Sequence, residues 1–550
     1  MAAVLAVPAA AAPEMPSVTP LTAGEKVDGE VRVNYTVPTR HGPLYLAAVH
    51  PTSAGKQLRA HSILTITPYS ALGRNGDKSR WVPRGYNRMT ADVVGTGNSG
   101  GCYDYGGKRE RETAKDVVEW VAKQPWSLGK VGMLGASYDG TTATAAAVER
   151  PKGLATIVPQ AAISRWYDYA YSDGARYTLN NEPMGRQGPG SAQDQGFDTP
   201  LAFSLGLAVP PPVDVTDPGW AERVQKTMVV CDELSHMEKG YDLSPDYDAF
   251  WVERDYARDA AKIAVPVLVS HNWGDWNVKQ DTAFRLWKAL PTGRNHHLYM
   301  GTRWSGHGLP GGSYSTVVSA WMDRWVTGVR NGIEKSLPTV VSQTSTFDKA
   351  GAFLNGDPKI SAITLTTSAD GLVAGTAATG KSAEMPFTTM GTESGALKGL
   401  APGSVVLQSP PLTRDVRMFG SASVRIRMLT GRTWTTLAPA VVDITPSGKP
   451  GLAVTRGWLD TRYDKGLEQA RPHGTGSHID ATVDVKPTDY TFPKGHRIAL
   501  ILQPESNEWI APKPYDGVPC ATCGSYAFQY GATTTLTLPL VGVRSAGSLF

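Results

Sequence analysis

Between residues 30 and 333 short apolar runs alternate with amphipathic segments. HSILTITPY (61–69), YNRMTADVV (86–94), KVGMLG (130–135), LATIVPQAA (154–162), VPVLVSHNW (265–273) and HHLYMG (296–301) read as strands. Several are almost unbroken apolar runs, as expected of strands covered on both faces. Helical periodicity fills the gaps. In ETAKDVVEWVAKQ (112–124) the residues Val117, Val118, Trp120 and Val121 make one apolar stripe, and 141–150, 280–290 and 313–329 follow further strands. This alternation predicts an α/β fold with a doubly wound, mostly parallel sheet. Residues 165–262 break the rhythm: they are rich in Asp, Tyr, Pro and Gly, with local helical turns such as 219–230. They read as a mainly helical cap inserted over the C-terminal edge of the sheet. From about 335 the period shortens to two in ISAITLTTSAD, GSVVLQSPPL, SASVRIRMLT and TTTLTLPLVGV, which predicts an all-β sandwich or jelly roll over 335–550.

At 550 residues the chain exceeds one hydrophobic core, in keeping with an α/β domain over 30–334 and a β domain after it. A formal charge of +4, without any Lys/Arg block, argues against nucleic-acid binding. No stretch reaches the roughly 18 apolar residues needed to span a bilayer, so no membrane partner is expected. The start, MAAVLAVPAAAAPEM, is similar to the end of a secretory signal, although it lacks a basic leader. Residues 1–29 are expected to be a signal remnant, or else a disordered Ala/Pro-rich tail, and the protein to be secreted. Four cysteines fit export. The most economical pairing joins Cys520 to Cys523 and Cys102 to Cys231. The alternative for CATC, a half-built zinc site, lacks a second pair at suitable spacing, and no metal or other cofactor is expected.

The candidate chemistry centres on LGASYDGTTATAAAVER (134–150). A nucleophile elbow needs a strand before its serine, a helix after it and tiny neighbours, because the turn is strained. Ser137 has all three. The motif is G-x-S-x-x-G, with Asp139 where the second glycine is usual and Gly140 one further on. A rival lies in GTGNSGG (95–101), which contains both a G-x-S-x-G and a G-x-G-x-x-G. Each reading requires a helix directly afterwards, and the following CYDYGGKRERE is turn-like.

In the α/β-hydrolase fold an acid and then a histidine follow the serine, each on a loop after a strand. Asp275 stands directly after VPVLVSHNW and His307 directly after HHLYMG. Ser137, Asp275 and His307 therefore form the candidate triad. Asp275 as a turn aspartate and His307 as a loop histidine are the plainer alternatives. His296 and His297 lie inside a strand. His271 precedes Asp275 by four but has no helical context for a metal pair.

GASYDG, TPY, DVVGTGNSGG, GDWNVK and WSGH together resemble peptidase family S15, the Xaa-Pro dipeptidyl-peptidases, whose relatives are the cocaine esterase and α-amino acid ester hydrolase group. YTFPKGHRIALILQ resembles the jelly-roll domain of these proteins. The resemblance spans roughly 30–550. Val94 departs from it, standing where arginine is usual. The resemblance implies release of Xaa-Pro dipeptides through an acyl-enzyme on Ser137. It also implies an oxyanion hole made by the Tyr138 N–H and the Tyr69 hydroxyl.

A dipeptidyl-peptidase must hold an α-ammonium group and pack a proline ring. Candidates for the ammonium are Asp168, Asp173, Glu182, Asp232 and Glu233. Candidates for the pocket wall are Trp166, Tyr167, Trp273 and Trp276. Two other functions fit the residues: an ester or acyl-amide hydrolase of the cocaine esterase type, and a non-catalytic carbohydrate-binding or adhesive protein. A peptide or a small ester or amide is the expected partner in the catalytic readings.

Overall fold

The computed structural model describes residues 19–20, 27–69, 80–177, 225, 229–231, 233–242, 244–293, 295–382, 384–386, 393–397, 404–448, 452–504, 509–510 and 525–550. The first sheet contains β1 (Gly29–Val37), β2 (Leu44–Ser53), β3 (Lys56–Thr67), β4 (Asn87–Asp92), β5 (Ser127–Ala136), β6 (Leu154–Gln160), β7 (Val267–Asn272), β8 (His296–Gly301) and β9 (Val340–Ser345). Its order is 1-2-4-3-5-6-7-8-9. Pairing is parallel from β4 through β9, and β1 and β2 are antiparallel.

Strand alternation sends side chains to two cores. Leu64, Ile157, Val267, Val269, Leu298 and Met300 join one face. That face is covered by α1 (Lys108–Lys123), α2 (Tyr138–Val148) and α6 (Asp281–Ala289). Ile63, Val158, Leu268 and Tyr299 point the other way, against Trp321 and Met322 of α7 (Tyr314–Met322). The sequence reading did not separate β1 and β2. β1 is an edge strand with a polar outer face, and β2 lies between β1 and β4, antiparallel to both, so the pair stands outside the strand–helix alternation that marks the parallel strands. β9 lies beyond the expected boundary at 334. It still pairs in parallel with β8 and takes β10 (Ala350–Asn355) as an antiparallel neighbour.

The described part of the cap consists of short helices α3 (Trp166–Ala170), α4 (Glu233–Glu238) and α5 (Ala249–Glu253), with a small hairpin at 171–176. Cys102 and Cys231 form a disulfide, Cα–Cα 5.4 Å, that ties the loop after β4 to this cap. Cys520 and Cys523 lie outside the described residues.

The C-terminal part is an antiparallel β-sandwich. One sheet joins β11 (Ile360–Ser368), β13 (Val416–Gly420), β14 (Ser423–Thr430), β17 (His478–Asp484), β18 (Thr488–Phe492) and the long β20 (Ser525–Val541). The other has the order β12 (Val405–Gln408), β19 (Arg497–Leu502), β15 (Ala440–Ile444), β16 (Leu452–Arg456). Their inner faces share a buried core that includes Leu365, Val424, Ile426, Leu500, Leu536 and Leu538.

The sandwich grips the first domain along the edge formed by the C-terminal ends of β7 and β8. The Trp273 indole donates to Ser342 Oγ at 2.9 Å, and Ser342 donates to Asp489 Oδ2 at 2.6 Å. Lys486 Nζ meets Asp281 at 2.8 Å, and Arg303 donates to the Ala453 carbonyl at 3.1 Å. Among the described residues no helix is long and apolar enough to cross a membrane.

Candidate active site

Ser137 sits between β5 and α2 with φ +62° and ψ −128°. A non-glycine residue held at positive φ is strained, and this strain lifts the side chain off the sheet edge. The turn closes by hydrogen bonds from Ser137 N to the Gln160 carbonyl (2.9 Å) and from Gly140 N and Thr141 N to the Ser137 carbonyl (3.1 and 3.0 Å). The glycine spacing has a steric cause. A Cβ on Gly135 would run into Asp139, and one on Gly140 would lie 2.7 Å from the Gln160 carbonyl and 2.8 Å from that of Gly135. The second close approach therefore falls at Gly140 rather than at Asp139.

Asp275 follows β7 and is fully buried. Its Oδ1 accepts from the backbone N–H groups of Asn277 (3.1 Å) and Val278 (3.2 Å). Its Oδ2 lies 2.7 Å from His307 Nδ1 and 3.2 Å from His271 Nε2. Burial alone would raise this carboxyl. The two imidazoles outweigh it and hold the group well below the usual carboxylate range.

His307 follows β8 on the neighbouring loop and is about a quarter exposed (26%). Two amides that the sequence reading did not select hold that loop. Asn272 donates to the carbonyls of Gly306 (3.0 Å) and Gly308 (2.7 Å), and Gln160 donates to Gly308 at 3.4 Å. Gln160 thus links the serine turn to the histidine loop. The available signal was a polar residue closing each apolar strand, in LATIVPQ and VLVSHN.

The Tyr69 hydroxyl lies 3.4 Å from Ser137 Oγ. Tyr138 points its own side chain away, into the core, where its hydroxyl donates to both oxygens of Glu110 at 2.8 Å. Glu110 was not selected from sequence. Burial pushes its carboxyl up to about 8. The rival GTGNSGG forms turns rather than opening a helix, since α1 begins only at Lys108. Ser99 of that loop is structural: it accepts from Tyr45 N at 3.0 Å and donates to the Asp92 carbonyl at 2.9 Å. Val94 is buried in the core.

The expected pocket residues separate. Trp166 packs on Tyr138 (centroids 5.3 Å) and donates to Tyr256 at 3.2 Å. Tyr167 lies among Tyr171, Tyr247 and Trp251 and donates to the Pro245 carbonyl. Trp273 packs on Phe284 and Phe419. Trp276 meets Trp458 edge-on and Trp509 at a tilt, and the Arg456 guanidinium lies 4.4 Å from the centroids of Trp276 and Trp509. All four rings are buried between layers of the protein.

Asp168 is buried and paired with Arg165 (2.5 Å) and Arg285 (3.0 Å), so its charge is already balanced. Asp173 occupies the tip of the 171–176 hairpin at φ +44°, where burial raises its carboxyl against the opposing charges of Lys486 and Arg165. Glu182 and Asp232 lie outside the described residues. Glu233 opens α4, and its side chain lies outside them as well.

A hydroxyl on a strained turn, a histidine paired with a buried aspartate and a second hydroxyl beside the serine form an arrangement suited to acyl transfer. A family model described as X-Pro dipeptidyl-peptidase (S15 family) matches residues 44–307. Another, described as the X-Pro dipeptidyl-peptidase C-terminal non-catalytic domain, matches 335–523. A putative Xaa-Pro dipeptidyl-peptidase of Bacillus cereus is 28% identical over 481 residues, covering 81% of this chain and 76% of its own. Among solved structures, a CocE/NonD family hydrolase from Staphylococcus aureus aligns with a TM-score of 0.71 at 16% identity, over 93% of this chain and 94% of that one. An α-amino acid ester hydrolase aligns at 0.66 and 19% identity, over 96% and 100%. At these identities the two structures establish a shared α/β-hydrolase fold.

Proposed function

The chain belongs to the S15 peptidase family, and from that premise we propose a secreted serine hydrolase that releases Xaa-Pro dipeptides through an acyl-enzyme on Ser137. The observation that carries this reading is the 2.7 Å contact between His307 Nδ1 and Asp275 Oδ2, one loop away from the positive-φ serine. Ser137 Oγ attacks the prolyl carbonyl while His307 Nε2 takes its proton. His307 then returns that proton to the leaving amine, and a water repeats the cycle to free the dipeptide. Asp275 fixes the imidazole tautomer and balances the imidazolium. The Tyr138 N–H, at the start of α2, and the Tyr69 hydroxyl receive the oxyanion, each worth about 3 kcal/mol.

For the substrate ammonium, Asp173 is the described candidate left once Asp168, which already faces two guanidinium groups, is set aside. The proline ring has to find its wall outside Trp166, Tyr167 and Trp273, whose rings are enclosed by protein. The Cys102–Cys231 disulfide supports an oxidising, extracellular location, and the β-sandwich is read as a jelly roll.

A second reading, an ester or acyl-amide hydrolase, is favoured by the fold shared with the CocE/NonD and ester hydrolase structures. A non-catalytic adhesive protein would have no use for the strain at Ser137. The deciding experiment labels the protein with a fluorophosphonate and compares Ala-Pro anilide, N-acetyl-Ala-Pro anilide and a benzoyl ester. The proposal expects labelling at Ser137, turnover of the free-amine anilide and none of the acetylated one. Equal turnover of the two anilides would remove the ammonium anchor, and absence of labelling would remove the hydrolase.

A further inference from the structure

His271 has no part in the mechanism so far, yet it is fully buried and touches the catalytic acid. Its Nε2 lies 2.8 Å from the Val278 carbonyl and 3.2 Å from Asp275 Oδ2. A carbonyl oxygen only accepts, so Nε2 carries the proton and donates, shared between the two oxygens. Nδ1 is buried without a hydrogen-bond partner among the described residues, so one proton, on Nε2, accounts for every contact of the ring.

We propose that His271 is a positioning residue for Asp275, an inference that rests on the Ser137–His307–Asp275 reading. The carboxylate has two oxygens and four donors around it: two backbone N–H groups on Oδ1, and two imidazoles on Oδ2. The backbone pair comes from the same turn as Asp275 and tethers only Oδ1. His271 comes from strand β7 beneath that turn, so it fixes Oδ2 to the rigid sheet. His307 reaches Oδ2 from a separate loop and finds it already aimed. The same ring ties Val278 to β7, which closes the 272–278 turn around the acid. Second-layer donors of this kind set the orientation of a catalytic group without touching substrate.

The test measures steady-state kinetics on Ala-Pro anilide and the rate of fluorophosphonate labelling. It uses the parent chain, His271→Leu, His271→Gln and a Ser137→Ala control, each checked for folding by thermal unfolding. Glutamine places an amide donor close to where Nε2 stands, whereas leucine only fills space. His271→Leu is expected to lower kcat and the labelling rate about 10- to 100-fold with KM within about twofold, and His271→Gln to recover most of the loss. A folded His271→Leu with parental kcat overturns the inference, as does a His271→Gln that is impaired as much as His271→Leu. If the leucine variant fails to fold, His271→Ala replaces it as the donor-less variant: a drop of about 10-fold or more that His271→Gln largely recovers supports the donor role, and equal kcat in the two denies it. A parent chain that is neither labelled nor active removes the relay itself and the inference with it, and that result is told apart by the parent's match to the Ser137→Ala control.

Discussion

The side-chain amide of Asn272 straddles His307, donating to the carbonyl before it at 3.0 Å and to the carbonyl after it at 2.7 Å. A histidine loop has no regular backbone ladder of its own, so two bonds from one buried side chain do the work of a sheet neighbour. Asn272→Ala removes both, leaving the Gly306 carbonyl to find another donor and the Gly308 carbonyl with the 3.4 Å bond from Gln160. The expected result is a kcat about tenfold or more below the parent, with KM little changed and a stability loss of about 1–3 kcal/mol by denaturant unfolding. An Asn272→Ala protein with parental kcat would separate loop position from catalysis.

Tyr69→Phe keeps the ring and its edge-on contact with Tyr138, at 6.4 Å between centroids, but removes the hydroxyl 3.4 Å from Ser137 Oγ. Loss of one oxyanion donor should cut kcat roughly 100- to 1,000-fold with little effect on KM or thermal stability. A kcat unchanged by the substitution would take Tyr69 out of the mechanism.

Glu110 offers a pH-dependent reading of the packing beneath the serine turn. Burial pushes its carboxyl up from an ordinary 4.5 to about 8, only partly opposed by the hydrogen bonds from Gly106 N and the Tyr138 hydroxyl. Between those values the folded chain holds a proton that the unfolded chain has released. Its contribution to stability therefore falls as pH rises from about 4.5 to about 8 and is level above that. Glu110→Gln should abolish this slope, so the stability difference between variant and parent should shift in favour of the variant as pH climbs. Parallel curves from pH 5 to 9 would contradict it.

The Cys102–Cys231 bond closes a loop of 129 residues and anchors the cap to the loop that leads into α1. Paired replacement by serine, or reduction, should lower stability by about 2–4 kcal/mol. Thermal unfolding of the two forms under matched conditions measures this. If oxidised and reduced chains unfold at the same temperature, the bond contributes nothing to the folded state.

Much of this architecture was visible before any coordinates. Continuous apolar runs mark β3 through β8 because each is covered on both faces, and their spacing by amphipathic segments leaves few alternatives to parallel pairing. The serine turn was legible because close backbone approach leaves no room for a Cβ at Gly135 and Gly140. Other parts were not legible. β1 and β2 are an antiparallel pair ahead of the strand–helix alternation, so that rhythm does not mark them. β9 reads like a sandwich strand, since a strand's partner is set by contacts far along the chain. Trp166, Tyr167, Trp273 and Trp276 have a composition that suits a pocket wall as well as an interior, and burial put them inside. Asp168 looked free because Arg285, its second partner, is more than a hundred residues away.

The order of Ser137, Asp275 and His307, and their place at strand ends, follow from local chemistry: strand, turn, helix, and the residue types each requires. Which oxygen of Asp275 faces which imidazole, and which amides brace the His307 loop, depend on side chains from β6 and β7 meeting across the sheet edge. Such contacts arise only when chain segments distant in sequence pack together, and no window of residues read along the chain contains them.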